Sequence, residues 1–486
     1  MDGMKRAAAV YVLIISMVGL GILGILHVGS QLPPPIGASP AGATAHGVET
    51  PRGISLLASV QAGLLEGGND PLSRLFLQLL VIIAGSQAAG WLFTRCGQPA
   101  VVGEMVAGIL LGPSLFGLVA PGAFQFVFPT ASMGALKLFS QIGVCLFMFA
   151  AGMEFDVAHL RQKAHTAIVV SHASIIIPYF LGVVLALFLY SHLAQPGASF
   201  TAFALFMGIS ISITAFPVLV RILQDRGIFK TVLGSTATAC AAVDDVTAWC
   251  VLAFVVAIVR AASVGAAACN LGLAACLIGF MLFVIKPNLP RWLGPQALER
   301  PDPGKGMLAA VIGVVLGCAL STELIGIHAI FGAFLAGVIM PDTGDFRHKL
   351  AVRVENFSSV LLLPLFFAYT GLRTQVGLLN DVQGWLICLG IIAVATTGKL
   401  GGTAIAARLT GMPWRDALQL GALMNTRGLM ELIALNIGYD LGILSQRIFA
   451  MLVIMALATT VMTAPVLALL GGKQRMPGAL PETLPL

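Results

Sequence analysis

Apolar runs recur along most of the chain, from Leu72 to Leu470. Most are about 18 to 25 residues long, enough to cross roughly 30 Å of hydrocarbon at ~1.5 Å per residue. In lipid, every backbone amide and carbonyl must be satisfied within its own segment or in a closed barrel, and these runs are too long for barrel strands. The chain is therefore expected to be an all-α polytopic membrane protein. The runs read as 72–93, 100–118, 133–152, 166–190, 199–222, 231–259, 264–285, 307–322, 326–340, 356–373, 384–407, 416–438 and 447–470, about thirteen core spans. A further apolar stretch follows Lys5 and Arg6. It is longer than a signal core of about 7 to 15 residues and reads as a retained N-terminal helix, with a cleaved signal peptide the alternative. Three units are expected: an N-terminal helix and flexible outer loop over 1–71, a transmembrane domain over 72–470, and a short cytoplasmic tail over 471–486, with no soluble domain expected after it.

Charge is informative through its placement. Only 10% of residues are charged, against roughly a quarter in soluble domains. If the first core span runs inward, cytoplasmic loops hold Arg161, Lys163, Lys230, Lys286, Arg291, Arg300 and Lys305 among others. The outer loops keep few, namely Arg52, Arg74, Lys137, Arg260, Arg373 and Arg447. This positive-inside bias places the C-terminus in the cytoplasm, the membrane being read as a bacterial inner membrane, and makes the net charge of +6 a topology signal with no bearing on nucleic acid. The eight cysteines are scattered through apolar segments without a CxxC pair, as small buried hydrophobes are.

Two segments break the helical pattern at matching places in the two halves: Ser210 to Pro217 and Met424 to Gly428. Pro217 deletes an amide donor, and Gly428 removes a side chain that would restrain the backbone. Paired interruptions point to inverted repeats with an ion site near the bilayer midplane.

The charge of greatest interest is Asp244-Asp245, in the apolar run 231–259. A carboxylate there costs several kcal/mol unless it is protonated, paired or bound to a cation. Adjacent residues lie ~100° apart on a helix, so the two carboxylates have different tasks. Lys399 lies near the middle of 384–407, where snorkelling is difficult. Asp244 is expected to pair with Lys399, leaving Asp245 to face the ion. Carbonyls freed near Thr214, with the hydroxyls of Ser212 and Thr214, are candidate hard ligands for an alkali cation. Arg427 and Glu431, at i and i+4, are expected to form an internal ion pair in the second broken segment, which Asn425 helps to build. Glu104 and Glu154 are shallower candidates for gating. His172 and His328 lack carboxylate neighbours in sequence and enter no mechanism. No cofactor or resident metal is called for, the only ion being the transported cation, and no catalytic residue of an enzyme is expected.

These motifs resemble the monovalent cation:proton antiporter-2 family, near plant cation/H⁺ exchangers, their bacterial relatives and Kef-type transporters. The resemblance covers about residues 72–470. It rests on Gln98-Pro with Gly108 to Pro113, Leu146 to Asp156, Ser212 to Val218, Ala241 to Trp249, His328 to Phe334, Leu363 to Phe367 and Met424 to Leu432. It implies two crossed broken helices, an elevator-like movement of a core against a homodimer scaffold, and an essential Asp that alternates between proton and cation, matching Asp245. The intramembrane Lys of sodium/proton antiporters of this fold matches Lys399. Plant members often carry Asn-Asp where this chain has Asp244-Asp245, and the Asp-Asp form is similar to that of electrogenic sodium/proton antiporters. Regulation by a nucleotide-binding or long cytosolic tail is not expected.

The expected function is secondary exchange of Na⁺ or K⁺ for H⁺, serving pH and ion homeostasis. A cation channel or gated K⁺ efflux protein is the alternative, although no TVGYG-like filter is present. An intramembrane aspartyl protease needs facing carboxylates, which adjacent residues do not provide. Na⁺ against K⁺, stoichiometry and activating pH stay open.

Overall fold

The computed structural model describes residues 16–28, 31, 70–154, 164–229, 231–261, 264–294, 304–342 and 346–471. The flexible outer loop and the C-terminal tail expected from the sequence lie outside them. The described residues are helical, with a single isolated β-bridge between Ala194 and Leu444. Eleven helices among them are long and apolar enough to cross a membrane. The other two expected core spans are present in shorter pieces. Residues 326–340 supply a ten-residue helix, and 416–438 is split in two by its break.

In chain order the helices are α1 (Ser16–Val28), α2 (Pro71–Arg95), α3 (Ala100–Leu111), α4 (Met133–Glu154), α5 (Ala164–Leu193), α6 (Phe200–Ser212), α7 (Phe216–Asp225) and α8 (Val232–Arg260). There follow α9 (Ala268–Leu293), α10 (Lys305–Ile325), α11 (Ala329–Val338), α12 (Phe346–Leu378), α13 (Val382–Leu409), α14 (Trp414–Met424), α15 (Leu429–Asp440) and α16 (Gln446–Gly471).

They pack as two bundles. One contains α2, α3, α4, α10, α11 and α12; the other contains α5 to α8 and α13 to α16, with α9 resting on both α8 and α10. Lipid tails are as apolar as leucine, so helix association in a membrane relies on close packing and interhelical hydrogen bonds. Glycine supplies the closeness in the first bundle. A β-carbon on Gly371 would lie 2.0 Å from the Gly108 carbonyl carbon, and one on Gly152 would lie 2.2 Å from the Phe334 carbonyl oxygen. No side chain fits at either position.

The seam between the bundles is crossed by ion pairs at one end. Asp440 at the end of α15 accepts from Lys137 of α4 at 3.0 Å and from Arg373 of α12 at 2.7 Å. Arg260 closing α8 pairs with Glu323 of α10 at 3.2 Å. Arg447 pairs with Asp381 at the same end of the second bundle. The few basic residues expected in outer loops thus include four with carboxylate partners. A polar cavity of 450 Å³ opens among Lys137, Gln141, Arg260, Glu323, His328 and Asp440.

Candidate functional site

Both broken helices belong to the second bundle, and their interruptions meet. Between α6 and α7 the backbone is extended at Ile213 and Ala215. The next helix can start at Phe216 because Pro217 lies in its first turn, where a missing amide costs nothing. Between α14 and α15 the chain turns through Asn425 to Gly428. Ala215 N donates to the Thr426 carbonyl at 3.0 Å, and Thr214 Oγ1 donates to the Met424 carbonyl at 2.9 Å. Gly428 is required by space and not by conformation. Its φ of 171° is extended backbone, but a β-carbon there would press on Val218 at 2.9 Å.

Two fully buried cations close the end of α6. The last carbonyls of a helix lack partners and carry partial negative charge. Arg427 donates to the Ser210 carbonyl at 2.9 Å and to the Ile211 carbonyl, while Nη1 also pairs with Glu431 Oε2 at 3.2 Å. Its backbone is held from α16, since its amide donates to Thr460 Oγ1 at 2.9 Å. Lys399 donates to the Ser212 carbonyl. Residues 397–401, around Lys399, form a π-turn inside α13. Such widened turns are a recurrent feature of functional sites.

The two aspartates on α8 sit in unlike surroundings. Asp244 is fully buried and has three donors: Lys399 Nζ at 3.1 Å and the Thr214 amide at 3.1 Å on Oδ2, and Ser174 Oγ at 3.2 Å on Oδ1. Asp245 is half-buried, and its Oδ1 has no hydrogen-bond partner among the described residues. Asp245 lines a cavity of 10 Å³, room for about one water, with Ile213, Ala248, Trp249, Leu252 and Met430. It supplies the only ionisable group in that lining. One carboxylate is committed to a protein cation and two neutral donors; the other is presented to a small space.

The structure brings Asp244, Lys399, Ser212, Thr214, Arg427 and Glu431 together at the crossing, though not all as the sequence suggests. The Ser212 hydroxyl turns back to the Ile209 carbonyl at 3.1 Å, so this residue offers Lys399 its carbonyl. The Thr214 hydroxyl is spent on Met424, and its amide serves Asp244. Neither hydroxyl lines the Asp245 cavity. Asn425 is buried, with Oδ1 unpartnered among the described residues, as is Glu431 Oε1. Glu104 is half-buried on α3 and makes no hydrogen bond to the site among the described residues. Glu154 ends α4, but its side chain lies outside the described residues. Sequence reasoning missed Ser174 and Thr460, each one of several hydroxyl residues in a long apolar helix. Pro178, four residues after Ser174 inside α5, was the one available signal.

Comparison with known proteins shows the family. The family described as sodium/hydrogen exchanger, transmembrane, matches residues 57–469. The chain is 42% identical over 402 residues to the Na⁺/H⁺ antiporter NhaS4 of Synechocystis, covering 82% of this chain and 97% of that protein. It is 37% identical to cation/H⁺ antiporter 18 of Arabidopsis thaliana over 83% of this chain, and spans about half the length of that relative, 50%. It is 31% identical to K⁺/H⁺ antiporter 1 of Saccharomyces cerevisiae over 84% of this chain and 48% of the yeast protein. The solved structure of the sodium proton antiporter MjNhaP1 from Methanocaldococcus jannaschii at pH 8 shares the fold, with a TM-score of 0.59 at 15% identity over 82% of this chain and 100% of that one. A multi-pass helical chain with an intramembrane carboxylate at two crossed helix breaks, matched over most of its length by named antiporters, belongs to the sodium/hydrogen exchanger family of cation/proton antiporters.

Proposed function

We propose that the chain exchanges Na⁺ or K⁺ for protons by alternating access, with cation and proton competing for Asp245. The observation that carries this reading is the contrast between the two aspartates. Asp244 is saturated by Lys399, the Thr214 amide and Ser174, whereas Asp245 Oδ1 is bare and lines a cavity of about one water's volume. A buried carboxylate oxygen without a partner is costly unless it takes up a proton or a cation, and two occupants that exclude one another make an exchanger. The relatives' names divide between Na⁺, K⁺ and unspecified cations, so both ions belong in the proposal. We place the protein in a bacterial inner membrane as a homodimer with its C-terminus in the cytoplasm, on the basis of its lysine and arginine distribution and its resemblance to the family. The two-bundle packing supports movement of the second bundle, which holds the site, against the first.

The test is cation-induced proton movement in everted membrane vesicles. Addition of Na⁺ or K⁺ is expected to release protons in wild type, and the response should vanish in Asp245→Asn present at equal abundance. Wild-type exchange in that variant would sink the mechanism.

A further inference from the structure

Of the three donors to Asp244, one comes from α5, outside the helices that form the crossing. Ser174 is fully buried, and its hydroxyl is the only group that reaches Asp244 Oδ1 among the described residues. The turn that carries it is unusual. Pro178 lies inside α5, four residues on, so the Ser174 carbonyl has no i+4 amide to accept from, and the proline ring crowds that carbonyl. The same proline is the surface on which the Lys399 π-turn rests. A β-carbon on Gly398 would lie 3.2 Å from Pro178 Cα and 2.9 Å from Leu181 Cδ1. The segment from Ser174 to Pro178 therefore touches both members of the buried pair: Asp244 through the hydroxyl, and the Lys399 turn through the proline.

We infer that Ser174 is a positioning residue for exchange, holding Asp244 in the rotamer that binds Lys399 and so keeping the ammonium away from Asp245. A carboxylate with donors on Oδ2 alone can swing about its bond to Cβ. The bond to Oδ1 fixes its plane and directs Oδ2 to both Lys399 Nζ and the Thr214 amide. Lys399 Nζ sits 3.1 Å from Asp244 Oδ2, and Asp245 is the next residue on α8, so the ammonium lies beside both carboxylates. Once Asp244 slackens, the ammonium competes with the transported cation for the neighbouring carboxylate. Such competition raises the apparent KM for the cation and leaves the maximal rate in place, because a high cation concentration displaces the lysine.

The inference rests on Asp245 being the exchanging group, so the test keeps the two claims separable. In everted vesicles, Asp245→Asn abolishes exchange if that reading holds. Ser174→Ala should retain it, with an apparent cation KM raised about tenfold, the worth of roughly one hydrogen bond to a charged group, and a maximal rate within about twofold of wild type. Ser174→Thr, which keeps the hydroxyl, should restore the wild-type KM. In an Asp244→Asn background, Ser174→Ala should add nothing to KM, since the anion it positions is gone. A wild-type KM in Ser174→Ala, or an equal further rise in the Asp244→Asn background, overturns the inference while leaving the role of Asp245 standing. If Ser174→Ala is lost from the membrane, the nearly isosteric Ser174→Cys, with its weaker donor, carries the same test: an unchanged KM refutes and an intermediate rise supports.

Discussion

Replacing Lys399 by methionine keeps most of the side-chain volume and removes the charge from a carboxylate that has no water to turn to. Lys399 Nζ and Asp244 Oδ2 are 3.1 Å apart and both side chains are fully buried. Losing the lysine leaves Asp244 with the Ser174 hydroxyl and the Thr214 amide, and leaves the Ser212 carbonyl without its donor. Breaking one side of a buried pair typically costs about 3 to 5 kcal/mol, mostly the penalty of a stranded charge. The stranded charge can be removed deliberately. Asp244→Asn keeps an oxygen for the same two neutral donors, so the double variant should regain most of the loss. The coupling between the two changes should amount to about 3 kcal/mol. Purified protein in detergent, followed by thermal unfolding for all four members of the cycle, measures this directly. Strictly additive losses, with the double variant less stable than either single one, would refute the view of Asp244 and Lys399 as a mutually dependent pair.

Two further outcomes follow from features away from Asp245. Gly371→Ala places a β-carbon against the Gly108 backbone, where only the helices themselves can move. A destabilisation of about 3 kcal/mol and loss of the monodisperse size-exclusion peak are expected, and an unaffected elution profile would contradict the close approach of α3 and α12. Arg427→Lys keeps the charge but loses the planar fork that reaches two carbonyls of α6 and Glu431 together. A cost of about 2 kcal/mol and impaired exchange at normal membrane abundance are expected; wild-type melting and transport would reduce Arg427 to a generic positive charge.

Much of the fold was legible because lipid permits so few solutions. Span positions follow from apolar length alone, and the breaks follow from Pro217 and from the Asn425 to Gly428 cluster, since a backbone leaves its helix in a membrane only where something local drives it. The depth of Asp244, Asp245 and Lys399 was legible for the same reason, since each interrupts a long apolar run. Three things were not. The π-turn around Lys399 packs closely on Pro178 of α5, a contact between residues far apart in sequence. Ser174 is one serine among several in a 30-residue helix, and only its neighbour across the bundle gives it a task. The hydroxyls of Ser212 and Thr214 read as candidate ligands because serine and threonine carry oxygen, but their rotamers are set by the nearest free carbonyls, those of Ile209 and Met424. Composition shows which atoms are available, and packing decides where they point.

The 450 Å³ cavity at the paired end of the seam has an electrical consequence. Its walls are charged, and the Glu323 side chain is 45% exposed, so it admits water and carries the potential of the adjoining solution into the protein. His328 lines that cavity, and Phe331, one turn further along, stacks edge-on against Trp249 with ring centres 5.4 Å apart. Trp249 in turn lines the small cavity at Asp245. The Phe331–Trp249 pair thus links a helix turn beside the large cavity to the lining of the small one at Asp245. Low-dielectric walls around such a recess concentrate field lines, so the charges of Lys137, Arg260, Glu323 and Asp440 act on one another and on an entering ion more strongly there than in open water.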